Sequence, residues 1–136
     1  IMTTSSSDAV AGTNAVALEY NNLRKDILLG KNLSNTETDA ATVTVDWSDG
    51  TKGKIRRVTI AGNRTIAFSN AVADQVLILQ VIQDGTGSRT VTWPAGVAWP
   101  YGVTPTLTTG AGKKDTFAFI ALTATTFEGA VVGQSY

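Results

Sequence analysis

The spacing of apolar residues over positions 42–136 constrains the fold of this chain most. The first stretch, "TVTVDW", alternates strictly, with its two valines and Trp47 on one face. Asp49-Gly50 follows, a pair that favours a tight hairpin, so we expect the next strand to run antiparallel. Further short stretches of β-branched and aromatic residues follow, separated by Gly, Pro and polar residues. The intervals are too short for helical crossovers between strands. We therefore expect an all-β domain over 42–136, an antiparallel β-sandwich or jelly roll.

Two of the expected strands have informative patterns. The stretch "QVLILQVIQ", Gln75–Gln83, is apolar on both faces, which is typical of a strand at the centre of a sheet. In "KIRRVTI", Lys54–Ile60, the alternation slips at Arg56-Arg57, which we interpret as a β-bulge. The centre of the core is therefore expected at 75–83.

Residues 1–41 have a different character and form a separate N-terminal segment for anchoring or oligomerisation. Its first part is a small, polar arm, and its last part, Gly30–Ala41, is a polar linker. Between them, Asn14–Leu29 contains no Gly or Pro and begins with an N-cap residue, so we predict a short helix. Its apolar residues at intervals of four, three and four form one stripe, which is the expected oligomer interface: Val16, Tyr20, Leu23 and Ile27. The stripe packs either on its own domain or on other copies.

Composition excludes several classes of function. The chain has 136 residues, 11 basic and 11 acidic side chains, and no His or Cys. Zero net charge gives no long-range attraction to nucleic acid, and the usual metal ligands, thiol nucleophile and general base are missing. No apolar run approaches the length of about 20 residues that a membrane-spanning helix needs, and no export signal is expected. We expect no enzyme activity, no cofactor, no metal, no nucleic-acid partner and no membrane insertion.

Charged residues are interpreted as structural. Four arginines are expected to have salt-bridge partners rather than to form a basic patch: Arg56, Arg57, Arg64 and Arg89. The spacing of Asp46, Asp49 and Asp84 does not match a calcium-binding loop, so we expect these three residues in solvated turns. The Gly-rich segment 84–88 precedes a strand, whereas phosphate-binding loops precede a helix, so we predict a turn there.

Trp93-Pro94 and Trp99-Pro100-Tyr101 are the aromatic residues that most suggest a ligand. Exposed aromatic rings stack on sugars, and proline fixes the backbone that presents them. Large aromatic residues are more often buried, however, and Trp93 continues the inward alternation of its strand. Trp99 and Tyr101 are therefore candidate glycan contacts, with packing in the core as the more ordinary interpretation.

The order of several motifs resembles a known family. "AGNRT", "QDGTGSRTVTWP", "PTLTT" and the closing "VVGQSY" follow one another as in β-rich modules of tailed-bacteriophage virion proteins, of tail-fibre or head-fibre type. The preceding "SSDAVAGTNAVALEYNNLRKDIL" is similar to the lead-in segment of such proteins, so the resemblance covers nearly the whole chain. It implies a structural, trimeric, surface-displayed part without catalytic residues.

These observations lead to one main expectation and one alternative. The main expectation is a non-enzymatic virion structural protein, assembled in the host cytoplasm. It would be a homotrimeric fibre or capsid-decorating component, displayed on the particle surface and anchored by residues 1–41 to other virion proteins. The alternative is an adhesin module that binds a host surface glycan through the loop of residues 99–102 or through a groove between subunits. An enzyme acting on surface polysaccharide ranks last, because the sequence contains no defensible catalytic constellation.

Overall fold

The computed structural model describes residues 35–136. This part of the chain is all-β, as predicted, and within it no helix is long and apolar enough to cross a membrane. Its elements in chain order are β1 (Thr42–Asp46), β2 (Ile55–Ile60), β3 (Arg64–Ser69), β4 (Val76–Gln83), β5 (Val91–Thr92), β6 (Val97–Ala98), a 3-10 turn (Pro100–Gly102), β7 (Lys114–Ala121) and β8 (Phe127–Gly133). The predicted arm, helix and apolar stripe lie outside the described residues.

The strands form two sheets, and the first five strands alternate between them. Sheet A has the order β2-β4-β7-β8-β6, and sheet B has the order β1-β3-β5. Each strand in the alternating series lies parallel to the previous strand of its own sheet. Val43 lies beside Ile66 in sheet B, and Ile55 lies beside Ile78 in sheet A, each pair being 23 residues apart in sequence (43 to 66, 55 to 78).

The expectation of mainly antiparallel pairing is wrong, because four of the six strand pairings in residues 35–136 are parallel. The expectation assumed that parallel strands need a helical crossover. Here the crossover is a single strand of the other sheet, such as β2 between β1 and β3. The turn at Asp49-Gly50 therefore joins two sheets instead of closing a hairpin. The antiparallel pairs, β4-β7 and β7-β8, lie in sheet A.

Side chains from both sheets meet in one apolar core. Leu77, Leu79 and Val81 of β4 are buried there, and β4 lies between β2 and β7. Phe68 of sheet B packs edge-on against Phe119 of sheet A, with ring centroids 4.9 Å apart. Full burial of each such side chain contributes about 1.5–3 kcal/mol. Residues 75–83 thus contain an interior strand whose inward side chains are part of the core, although β7 occupies the middle position of sheet A.

The slip in the alternation of β2 is caused by a buried arginine, so the predicted bulge is wrong. Burial alternates regularly along β2, and Arg56 points inward on the same face as Val58. The strand pairs with β4 without a register shift. The irregularity in sheet A lies instead between Thr116 and Phe117, opposite β8.

Arg56 is neutralised by a segment that lies along the outer edge of β2. The Asn35 carbonyl accepts the Arg57 N–H, and the Glu37 N–H donates to the Arg57 carbonyl, both at 2.8 Å. Glu37 is buried, with its Oε2 2.9 Å from Nη1 of Arg56 and its Oε1 2.9 Å from Nζ of Lys52. Residues 35–37, part of the expected polar linker, thus pair with this sheet edge through main-chain hydrogen bonds.

Two buried polar side chains fix the loops that flank the sheets. The Gln83 amide donates to the carbonyls of Arg89 and Thr108 and accepts the Arg89 N–H, all at 2.9 Å. Asp115 accepts the N–H groups of Thr108 at 2.7 Å and Ser135 at 2.9 Å. Burial raises the pKa of Asp115, but the hydrogen bonds from Thr108, Ser135 and Gln134 together outweigh it and hold that pKa below its ordinary value.

Candidate assembly surface on sheet A

The outer face of sheet A, which points away from the core, has an apolar row across four strands. Ile55 of β2 is in register with Ile78 of β4, Ile78 with Ala118 of β7, and Ala118 with Ala130 of β8. Ile78 and Ala118 lie between buried neighbours that point inward, whereas Ile55 and Ala130 are exposed. Ile55 is 44% exposed. The apolar row is therefore exposed at its two ends and half-buried at Ile78 and Ala118 in the described domain.

Further apolar side chains widen this surface along β4 and β7. Val76 and Ile120 are cross-strand neighbours and are 46% and 41% exposed, and Leu122, directly after β7, is 47% exposed. Contiguous exposed apolar patches on natural domains commonly mark interaction sites. The surface also accounts for the pattern of 75–83, since residues 35–136 cover only the inward face of β4 although both of its faces are apolar.

A groove lies at the end of this face formed by β6 and β8. It has a volume of about 370 Å³ and is lined by Ala98, Trp99, Pro100, Ile120, Glu128, Gly129 and Ala130. Gly129 leaves room for the Trp99 indole, because a Cβ at this position would lie 2.8 Å from Cζ3 of that ring. Glu128 supplies the one carboxylate in this lining. The groove therefore combines apolar walls with a single negative charge.

The opposite edge of the face presents a cation. Arg57 is exposed on the same side of β2 as Ile55, and its Nε donates to Oε1 of Gln80 at 3.1 Å. Arg57 lies two residues after Ile55, whereas Glu128 lies two residues before Ala130. Because β2 and β8 run in the same direction, these two charges occupy diagonally opposite corners of the face.

Arg57 differs from the other arginines of the β-domain. The prediction of salt-bridge partners is confirmed for Arg56 with Glu37, for Arg64 with Asp39 at 2.7 Å and for Arg89 with Asp84 at 2.9 Å. The hydrogen bonds from Arg64 hold the pKa of Asp39 below its ordinary value. Within residues 35–136, Arg57 has no acidic partner.

The acidic side chain at segment 84–88 stabilises a loop that leads into β5. Asp84 Oδ1 accepts the N–H groups of Thr86 at 3.1 Å and Gly87 at 2.9 Å. The Arg89 guanidinium and these N–H groups lower the pKa of Asp84 from 3.8 to about 2.

In the described part of the chain, no three His, Cys, Asp or Glu side chains are grouped so that they could hold a metal ion.

The two candidate glycan contacts have different surroundings. Trp99 is buried, with its ring centroid 5.4 Å from that of Trp93 and 5.7 Å from that of Phe119. Tyr101 is fully exposed and has a φ of 58°, in a turn closed by the Gly102 N–H and the Trp99 carbonyl at 2.9 Å. A positive φ is costly for a residue with a side chain. Tyr101 is thus held in solvent, and a glycan contact by either residue stays a prediction.

Comparison with known proteins supplies no relative: no protein-family model, curated protein or solved structure matches the chain. The outer face of sheet A and the motif resemblance are therefore the features that bear on function. Sequence analysis did not identify the apolar row, its groove or the role of Arg57. The pattern of 75–83 was the available signal, because a strand with two apolar faces needs cover on both.

Proposed function

We propose that the chain is a non-enzymatic structural protein of a tailed-bacteriophage virion. In this proposal it is assembled in the host cytoplasm and displayed on the particle surface as a homotrimeric fibre or capsid-decorating component, anchored by residues 1–41 to other virion proteins. The observation that carries the proposal is the apolar row, an uncharged surface suited to packing against other copies. The motif resemblance supports the virion assignment.

The proposed architecture is a two-sheet β-sandwich that contains both parallel and antiparallel pairs. Contacts between aromatic residues of the two sheets support it. Phe68 in β3 packs against Phe127 in β8 as well as against Phe119, with the centroids of Phe68 and Phe127 5.0 Å apart. Trp47, directly after β1, lies 5.2 Å from the Phe127 ring by the same measure. One shared core between two sheets leaves the outer face of each available for assembly.

The proposed trimer is tested by sedimentation of the full chain. We expect three copies per particle, with the apolar stripe of residues 16–27 packed around the threefold axis. Leu23→Asp should dissociate the trimer, because it places a charge in the stripe. Asn22→Asp makes the same kind of change one residue away, off the stripe, and should leave the trimer intact. A full chain that is monomeric at all concentrations would contradict the proposal.

The virion assignment is tested on particles. Tailed-phage particles that encode this chain should contain it after density-gradient purification, in multiples of three copies. Antibodies raised against residues 42–136 should label the outside of intact particles in electron micrographs. If the chain is absent from purified particles and found only in the infected-cell extract, the proposal is wrong.

A second candidate function, glycan binding by a surface adhesin, is favoured by the exposure of Tyr101. A fully exposed aromatic ring in a conformation with backbone strain is available for stacking on a sugar. A glycan array with the full chain should give a binding signal that Tyr101→Ala removes and that Thr104→Ala, in the same loop, retains. An array without signal would leave assembly as the only proposed role.

A further inference from the structure

We propose that the β2 edge of the outer face, meaning the outward-pointing side chains of Ile55 and Arg57, docks in the groove between β6 and β8 of the next copy. Ile55 enters the groove, and the Arg57 guanidinium pairs with the Glu128 carboxylate of the neighbouring chain. This inference rests on the self-association proposed above and identifies the contact between β-domains.

The shape of the apolar row fits such a head-to-tail contact. Its β2 and β4 end has two bulky side chains, Ile55 and Ile78, whereas its β7 and β8 end has two small ones, Ala118 and Ala130. One end therefore projects where the other is recessed. The groove beside Ala130 has a volume of about 370 Å³, within the range of pockets that take small-molecule-sized groups. It can hold an isoleucine side chain together with the aliphatic part of an arginine.

Charge complementarity identifies a second copy as the occupant. The groove lining has a single carboxylate, Glu128, and therefore favours an apolar group that carries a cation. The β2 edge presents that combination, since Ile55 and Arg57 are exposed on the same side of the strand. The hydrogen bond from Nε of Arg57 to Gln80 orients the guanidinium, and within residues 35–136 no side chain accepts its terminal N–H groups, which suit a carboxylate.

The contact has a consequence for symmetry. The two surfaces are different parts of the same chain, so the interface is heterologous, and each copy has one of each to offer. A heterologous contact whose rotation closes gives a ring. Three such contacts around one axis would satisfy every groove and every β2 edge in the proposed trimer.

A charge-swap experiment on the full chain tests the contact. Arg57→Glu and Glu128→Arg each place like charges together, so each should raise the dissociation constant of self-association by about tenfold or more in sedimentation equilibrium. The double variant, Arg57→Glu with Glu128→Arg, restores opposite charges at every contact and should return the constant close to that of the wild type. Lys54→Glu is the control, because it makes the same charge change on an exposed residue directly before β2.

The outcomes separate this contact from the proposed function. Single variants that associate as tightly as Lys54→Glu would overturn the contact, and so would a double variant that keeps the native circular dichroism but does not reassociate. If Leu23→Asp dissociates the protein and the charge variants do not, the trimer stands and this contact is wrong. If the wild-type chain is monomeric, both proposals fail.

Discussion

Removal of the Glu37 carboxylate should strongly destabilise the β-domain, because it leaves the Arg56 guanidinium charged and buried. The two side chains are 4% and 3% exposed, with 2.9 Å between Oε2 of Glu37 and Nη1 of Arg56. Breaking a buried pair by deleting one partner costs about 3–5 kcal/mol, a large part of the total stability of about 5–15 kcal/mol that is ordinary for a domain. We expect Glu37→Ala to lower the free energy of unfolding by about 3–5 kcal/mol.

Urea denaturation at one protein concentration, followed by the fluorescence of the three buried tryptophans, measures this change. Thr38→Ala, on an exposed neighbouring residue, should alter the free energy of unfolding by less than about 0.5 kcal/mol. Glu37→Leu with Arg56→Leu removes both charges and should stay within about 1 kcal/mol of the wild type. A loss below about 1 kcal/mol for Glu37→Ala would refute the reasoning, since Arg56 would then have found water or another partner.

Three further predictions concern other parts of the β-domain. The Asp84 carboxyl should titrate near pH 2 in carbon-detected NMR, and the stability that it contributes should be present above about pH 4 and lost as the pH falls towards 2; a midpoint near 3.8 would contradict this. Gly129→Ala should destabilise the domain by about 1–3 kcal/mol, because its Cβ would lie 2.8 Å from Cζ3 of Trp99, and an unchanged Tm would disprove the close contact. Gln83→Leu should accelerate hydrogen exchange at the Arg89 amide, which donates to the Gln83 side chain at 2.9 Å; equal exchange rates would show that this bond is not the protecting one.

The positions of strands could be predicted from alternation, whereas their pairing could not. The segments 42–47 and 75–83 both contain strands, because their apolar spacing has the period of a pleated backbone. A strand that crosses to the other sheet has the same period as a strand that returns in a hairpin. The direction of pairing after Asp49-Gly50 therefore depends on which sheet the next strand joins in the shared core, and the spacing of apolar residues along the chain does not determine this.

Arg56 illustrates a second limit of sequence reasoning. Arginine is rarely buried, so an arginine at an inward position was interpreted as a break in the strand. The residue that makes its burial tolerable, Glu37, lies 19 positions earlier, in a segment with no strand-like pattern. Such long-range compensation of charge becomes visible only when the two segments are placed together.

The candidate surface was only partly available from the sequence. The two apolar faces of 75–83 indicated that β4 needs cover on both sides. Ile55, Ala118 and Ala130 come from three other strands, and only the register of sheet A brings them into line with Ile78. The proposed pairing of Arg57 with Glu128 of the next copy required the further knowledge that β2 and β8 run in the same direction.

We propose that this chain works by burying the outer face of sheet A against its own copies. Since the chain has no cysteine, a single introduced thiol reports on one position. Ile120→Cys lies at the groove, and Thr44→Cys, on the exposed outer face of sheet B, is the control. In the assembled protein, the thiol at position 120 should react with a maleimide far more slowly than the thiol at position 44, and dilution to the monomer should abolish the difference. Equal reaction rates in the assembled protein would show that the face is open and would contradict the claim.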